Sequence, residues 1–426
     1  MKKLKWIHRW FSLVLGLFLI LWAASGVVLN HRTLFSRIDI NRTILAENYH
    51  YKNWNNAAVR SGLQLGGDSL LIYGNIGIYL TDTNFADYEP FMEGLKKGTD
   101  NRRIFKLFIT PSGNLYAGTQ SGLYYFHNET GKWHYISLPS HDKRIPDITC
   151  RGDKLVVLSR SELWIADDKP GAWEFSHFEL PRSLDDDGRT SLFKTLWVIH
   201  SGELLGLPGI LLVDLLALVL IFLVVTGYIY FFFPRWLRNR KKKKLAVSSM
   251  IKTIRFSVKW HNKIGIWIGG FLIVTTVTGM FLRPPLLIAI AKKRVAKIPF
   301  TSLNHPNPWH DRLRAIHWNE DGQYWLVGTA DRLYQAKPDF SGLLMPFKTQ
   351  PPLSVMGINV LEHLGDDSYL IGSFNGLFLW QARSGYLRDY ITGEIPKGMA
   401  HAGSPIGQNM ISGMIRLQNT HYIFDY

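Results

Sequence analysis

Four histidines stand where uncharged runs meet polar flanks: His8 and His261 shortly before two such runs, His31 just after one, and His200 at the start of another. An imidazole nitrogen can ligate iron. Two histidines at one depth on neighbouring parallel helices could therefore clamp a haem b through its iron. His8 and His261 would form the inner pair, and His31 and His200 would frame an outer site. Histidine at a helix end also anchors the helix in the headgroup layer, so each histidine taken alone carries both readings. His8 and His31 are 23 residues apart, about 34 Å along a helix, which is long for direct electron exchange.

Asp214 lies 14 residues beyond His200 inside an apolar run. An acid at that depth is a functional candidate by default, able to relay protons or accept a hydrogen bond. Thr275, Thr276 and Thr278 are its possible hydroxyl partners. His305, His310 and His317 are spaced by five and seven residues, which matches no standard metal motif. Pro306 and Pro308 mark a loop there, and the structural reading is preferred. The single cysteine, Cys150, excludes an intramolecular disulfide, a cysteine zinc site, a cysteine-ligated iron–sulfur cluster and a c-type haem attachment.

The elements that would hold these residues are legible from charge. The chain has 426 residues, 49 Lys+Arg against 33 Asp+Glu, and a formal charge of +16. Residues 1–10 hold four cations and residues 234–263 hold eleven, with no acid in either stretch, so fifteen of the sixteen net charges sit in two blocks beside apolar runs. That distribution argues against nucleic acid and for cytoplasmic flanks of membrane helices. The expected order is a cytoplasmic N-terminus at 1–10, spans at 11–31, 198–233 and 264–283, a basic cytoplasmic loop at 234–263, and external segments at 32–197 and 284–426. Each span is long enough to cross a core of about 30 Å. The start of the chain and Ala23-Ala24-Ser25-Gly26 also fit a cleaved leader loosely, but the run is long for one and the third span repeats its pattern.

That repeat is specific. His8 is followed by Gly16, Phe18, Ser25 and Gly26, and His261 by Gly269, Phe271, Thr278 and Gly279, at the same offsets. Small residues permit close approach of a helix or a flat cofactor, so Gly16 and Gly269 could leave room for a porphyrin. A step of 18 residues is five full helical turns. His8 and Gly26 should then share a face, as should His261 and Gly279, and that face should be the seam between the first and third spans.

A second repeat lies outside the spans. Residues 70–80 (LLIYGNIGIYL), 115–126 (LYAGTQSGLYYF), 155–166 (LVVLSRSELWIA), 324–336 (YWLVGTADRLYQA) and 369–380 (YLIGSFNGLFLW) each read as strand, short turn, strand. Gly74 to Gly118 and Gly328 to Gly372 are both 44 residues. Strand pairs at that period resemble propeller blades. Three copies precede the helical hairpin and two follow it, with a fragment at 416–426. The expected fold is three transmembrane helices plus one external all-β domain whose propeller-like repeats are split by the hairpin. No chemical motif is visible in the blades, which favours a packed scaffold over a binding surface.

Residues 5–32 (KWIHRWFSLVLGLFLILWAASGVVLNHR), 198–236 and 259–287 (KWHNKIGIWIGGFLIVTTVTGMFLRPPLL) carry a resemblance to the PepSY-associated transmembrane helix family of bacterial inner-membrane proteins. Some members are similar to siderophore-linked ferric reductases and carry membrane haem. The resemblance implies ligand roles for His8, His200 and His261, and for His31 less directly. Members often continue into a further membrane helix with its own histidine, whereas this sequence ends in strand-like residues at 423–426. No GxGxxG is present, so an electron donor would be a separate partner or quinone.

Together these readings imply a bilayer-embedded haem b protein of the bacterial inner membrane. It would move electrons toward ferric iron or an iron chelate, as a ferric or siderophore reductase does. The alternative is a membrane-anchored periplasmic propeller-like protein that binds or senses a partner without catalysis.

Overall fold

A computed structural model of the chain describes residues 2–38, 40–47, 50, 57–140, 142–291, 293–354, 357–396, 409–418 and 420–426. These fall into two compact units. One comprises residues 1–35 and 190–304, the other residues 36–189 and 305–426.

The second unit is all β. Antiparallel four-stranded sheets occupy residues 61–90, 104–136, 147–178, 313–346 and 360–389, and a two-stranded sheet occupies 411–425. The five sequence repeats are the second and third strands of the five larger sheets, joined by tight turns. Gly77 and Gly376, at φ +113° and +127°, open the third strand of their sheets in a conformation that glycine adopts without strain. The fragment at the end pairs Ile411–Leu417 with Thr420–Asp425, so it begins five residues earlier than the repeat alone suggests.

The sheets close into a ring. First strands of sheets one to four adjoin in turn, as do those of sheets five, six and one, which makes them the innermost strands. Burial follows the same circuit, because alternate residues of each strand face the sheet on either side. Leu71 and Tyr73 meet Ile104 and Leu107. Tyr116 and Leu123 meet Ile148 and Leu155. Val156 and Leu158 meet Leu313 and Ile316. Tyr324 and Leu326 meet Tyr369 and Ile371. Val360 and Leu370 meet Ile411 and Met414, and Ile415 and Leu417 meet Leu70 and Ile72. This is propeller construction, with the helical insertion entering between sheets three and four.

That junction is well joined. Trp309 is fully buried and its indole N–H reaches the carbonyls of Leu180 (3.2 Å) and Pro181 (2.9 Å). The Arg151 guanidinium lies 4.0 Å above the Trp318 ring. Asp147 accepts from the Ile316 backbone N–H at 2.9 Å and meets Lys106 Nζ at 3.5 Å, so one carboxylate touches three successive sheets. Burial pushes the Asp147 carboxyl up, while the same contact holds the Lys106 ammonium above its usual value. The two directions conflict only in part: dehydration outweighs attraction at the acid, and attraction outweighs dehydration at the base.

The first unit is helical. Helix α1 is Lys2–Asn30, followed by the single turn α2 (Arg32–Phe35). Helix α3 is Leu192–Ser201, α4 is Leu207–Lys242 and α5 is Ser248–Met280. Three of them, α1, α4 and α5, are long and apolar enough to cross a membrane. Their large apolar side chains are mostly exposed, among them Trp22, Leu218, Ile266 and Trp267, as lipid-facing residues would be.

Two sequence boundaries change. The second span does not begin at residue 198: Gly202 (φ 84°) and Gly206 (φ 64°) break the helix, and α4 starts at Leu207 with Pro208 in its first turn. His200 therefore sits on a separate helix. The basic region 234–263 is not a loop either, because α4 runs through it to Lys242 and α5 resumes at Ser248. Lys and Arg are good helix formers, and cations favour a helix C-terminus.

Candidate functional site

The long helix α4 packs against both α1 and α5. Gly16 of α1 permits one of these contacts: a Cβ there would fall 2.4 Å from Tyr228 Oη and 2.9 Å from Val224. Tyr228 Oη donates to the Leu13 carbonyl at 3.2 Å. The space expected beside Gly16 for a porphyrin is thus filled by α4, whereas Gly269 has nothing within 4 Å of a built Cβ.

His8 and His261 do come together. Their ring centres are 6.2 Å apart and their planes are inclined at 60°. His8 Nδ1 lies 3.4 Å from Ser12 Oγ, one turn further along α1. His261 Nδ1 lies 3.0 Å from Thr226 Oγ1 of α4. Thr226 is buried, and its hydroxyl is within 2.8 Å of the Phe222 carbonyl and 3.0 Å of the Leu223 carbonyl, so its one hydrogen is committed to the backbone. The oxygen must then accept from Nδ1–H, which leaves the lone pair of the His261 ring on Nε2. Gly227 also neighbours this ring: a Cβ there would make an ordinary contact, 3.5 Å from His261 Cε1.

The distance between ring centres is close to that of two imidazoles sharing one metal ion. With bonds of about 2 Å and about 1.2 Å from nitrogen to ring centre, the two centres would be about 6.4 Å apart. Both ring planes contain the bond axis in that arrangement, so an inclination between them is allowed. Engagement of Nδ1 is also what ligating histidines need for a fixed orientation.

The outer histidines are not paired in this way. His31 Nε2 is 2.6 Å from Asp214 Oδ2, and Asn30 Nδ2 donates to the other oxygen of Asp214 at 3.1 Å. Asp214 is buried, so its partners are His31 and Asn30 rather than the threonines of α5. Two of those threonines serve His200 instead: its Nδ1 donates to the Thr275 carbonyl at 2.8 Å and lies 3.5 Å from Thr278 Oγ1. Gly279 makes room for that ring, because a Cβ would fall 2.8 Å from His200 Cε1. The face of α5 expected to meet α1 is turned toward α3, and the built Cβ of Gly26 meets nothing within 4 Å. No ring contact joins His31 to His200 among the described residues.

In the β unit His305 and His310 stack with centres 4.0 Å apart. His317 lies 4.8 Å from His363 and 5.8 Å from Tyr369. Among the described residues no cluster of three or more His, Cys, Asp or Glu could hold a metal ion.

Sequence reasoning missed Thr226, Ser12 and Asn30. The available signals were a hydroxyl within an apolar helix, a serine four residues after His8, and an amide beside His31.

A family model described as PepSY-associated TM region matches residues 5–346. The chain belongs to that family. No curated protein matches the sequence. Solved structures similar to this PepSY-associated chain include the extracellular domain of a hybrid two component system from B. thetaiotaomicron. It has 11% identity and a TM-score of 0.42, over 89% of this chain and 33% of that one, so the chain spans about a third of its length. A computationally designed protein, Ika8, matches with 9% identity and a TM-score of 0.36, over 86% and 93% of the two chains. The β-propeller domain of Cps50 (Swd1) from Myceliophteria thermophila matches with 9% identity and a TM-score of 0.32, over 76% and 69%.

Proposed function

We propose that this PepSY-associated protein is a haem b protein of the bacterial inner membrane that moves electrons across the bilayer. Its acceptor would be ferric iron or a ferric chelate, and its donor quinone or a separate reductase. The observation that carries the reading is the His8–His261 pair, 6.2 Å between ring centres, with His261 Nδ1 held by Thr226. Haem b, when bound, supplies one-electron exchange between ferric and ferrous iron. The chain's own residues hold and shield it. His8 and His261 bind, Thr226 and Ser12 orient them, and the apolar helix surfaces keep water away. His200, with Nδ1 on a carbonyl, is the outer residue best disposed to ligate through Nε2. His31 acts in this reading as the partner that holds Asp214.

The cation blocks at 1–10 and 234–263 support a cytoplasmic N-terminus, with both β segments in the periplasm. A reporter fused after Lys244 should then be active in the cytoplasm, and one after Asp187 outside it.

The deciding experiment is the absorbance and pyridine haem content of the purified full-length protein from a haem-replete host. A reducible Soret band that disappears in both His8→Ala and His261→Ala supports the reading. Colourless wild-type protein sinks it and leaves a membrane-anchored propeller that binds a partner without catalysis.

A further inference from the structure

We propose that a cavity between the end of α4 and the start of α5 binds the headgroup of an anionic phospholipid. The cavity is a wide-mouthed hollow of about 300 Å³, lined by Trp236, Asn239, Arg240, Lys243, Leu245 and Met250. That volume is at the small end of ligand pockets, suited to a headgroup whose acyl chains lie outside it. Trp236 lies ten residues beyond Thr226, about 15 Å along α4, so the cavity is separate from the histidine pair.

Its chemistry is two-sided. Arg240 offers a planar fork that matches a phosphate, Lys243 a second cation, and Asn239 an amide donor. Trp236, Leu245 and Met250 supply an apolar wall. A free phosphate would use the first set and leave the second without a partner, whereas a phospholipid uses both.

Depth and charge agree. Trp236 follows Phe231, Phe232 and Phe233 at the end of the apolar run, where aromatic residues mark the level of the headgroups. Residues 234–263 hold eleven cations and no acid, so the local sequence offers Arg240 and Lys243 no carboxylate. The nearby Arg235 and Arg9 are occupied over the Phe231 ring, at 5.4 and 4.8 Å. Positive flanks alone orient a helix, but they do not require a concave, half-apolar wall. Basic pockets between membrane helices are a recurring way of holding anionic headgroups.

Native mass spectrometry of the full-length protein, delipidated and offered equal phosphatidylglycerol and phosphatidylcholine, tests the site. Phosphatidylglycerol should be retained in preference. Arg240→Gln with Lys243→Gln should weaken its retention roughly thirty-fold, from two lost cation contacts near an anionic surface. Lys241→Gln with Lys242→Gln removes the same charge outside the cavity and should leave retention unchanged. Arg240→Lys with Lys243→Arg keeps the charge and should retain the lipid. Equal loss in the two glutamine pairs, or no preference between the lipids, overturns the proposal. Displacement by millimolar inorganic phosphate at constant ionic strength assigns the cavity to a free anion and overturns it as well.

Discussion

His261 and Thr226 are joined by a hydrogen bond whose direction is settled by a third party: the threonine proton already belongs to the backbone carbonyls of its own helix. The imidazole must donate. On the proposed haem reading, Thr226→Val removes the acceptor behind His261 and should lower haem affinity about 10–100-fold, the usual effect of deleting a partner behind a metal ligand. Thr226→Ser should restore it. Haem titration followed at the Soret band measures both, and a valine variant that binds like wild type would reject the assignment of the ligating nitrogen.

Gly279→Ala and Gly26→Ala make a matched pair. The first drives a methyl to 2.8 Å from the His200 ring, the second into open space. Overpacking of this kind costs about 1–3 kcal/mol, whereas alanine for glycine in an unobstructed helix gains up to about 1 kcal/mol. Thermal unfolding followed by helical circular dichroism should move in opposite directions for the two variants.

The β unit should weaken in acid through His317. Burial, with His363 and Lys106 nearby, lowers this imidazole from 6.5 to about 3. Between those values the unfolded chain holds a proton that the folded one refuses. Stability is therefore intact above about pH 6.5 and falls as pH drops toward about 3. His317→Gln should flatten that slope in denaturant titrations at pH 4 to 7. An unaltered slope would show that other groups set it.

Trp309→Ala should destabilise the β unit by about 3–5 kcal/mol, the range for removing a fully buried aromatic. The indole also bonds two carbonyls of the preceding segment. Limited proteolysis should therefore release residues 305–426 from the variant while wild type keeps the two segments together. Release from wild type at the same rate would argue against Trp309 as the fastening.

Much of the architecture could be read from the chain because its signals are local. An uncharged run of spanning length is visible without tertiary information, and so is a strand pair folded about Gly74 or Gly372. The innermost strands were harder, because 104–109, 147–151 and 313–319 mix Lys106, Asp147 and Arg314 with their apolar residues and alternate poorly. The break at Gly202 and Gly206 was hidden by hydrophobicity on both sides of it. His8 and His261 could be matched through the helix repeat. Their support could not, because whether Thr226 faces His261 or lipid depends on the rotation of α4. The same uncertainty of rotation hides that Asp214 meets Asn30 and His31 rather than its possible threonine partners, and that Gly279 faces His200 rather than α1.

The place where the ring of sheets is interrupted has a consequence for biogenesis. When the third sheet is finished, its side remains unmatched until residues 190–304 have been synthesised, on the order of ten seconds at roughly 5–20 residues per second. The hydrophobic edge at Leu158 waits through that interval for Leu313, and the edge at Leu70 waits longer, for Ile415. Delivery of α4 and α5 to the bilayer thus becomes a timer on ring closure. A slowed translocon should expose the half-made ring to proteases and aggregation.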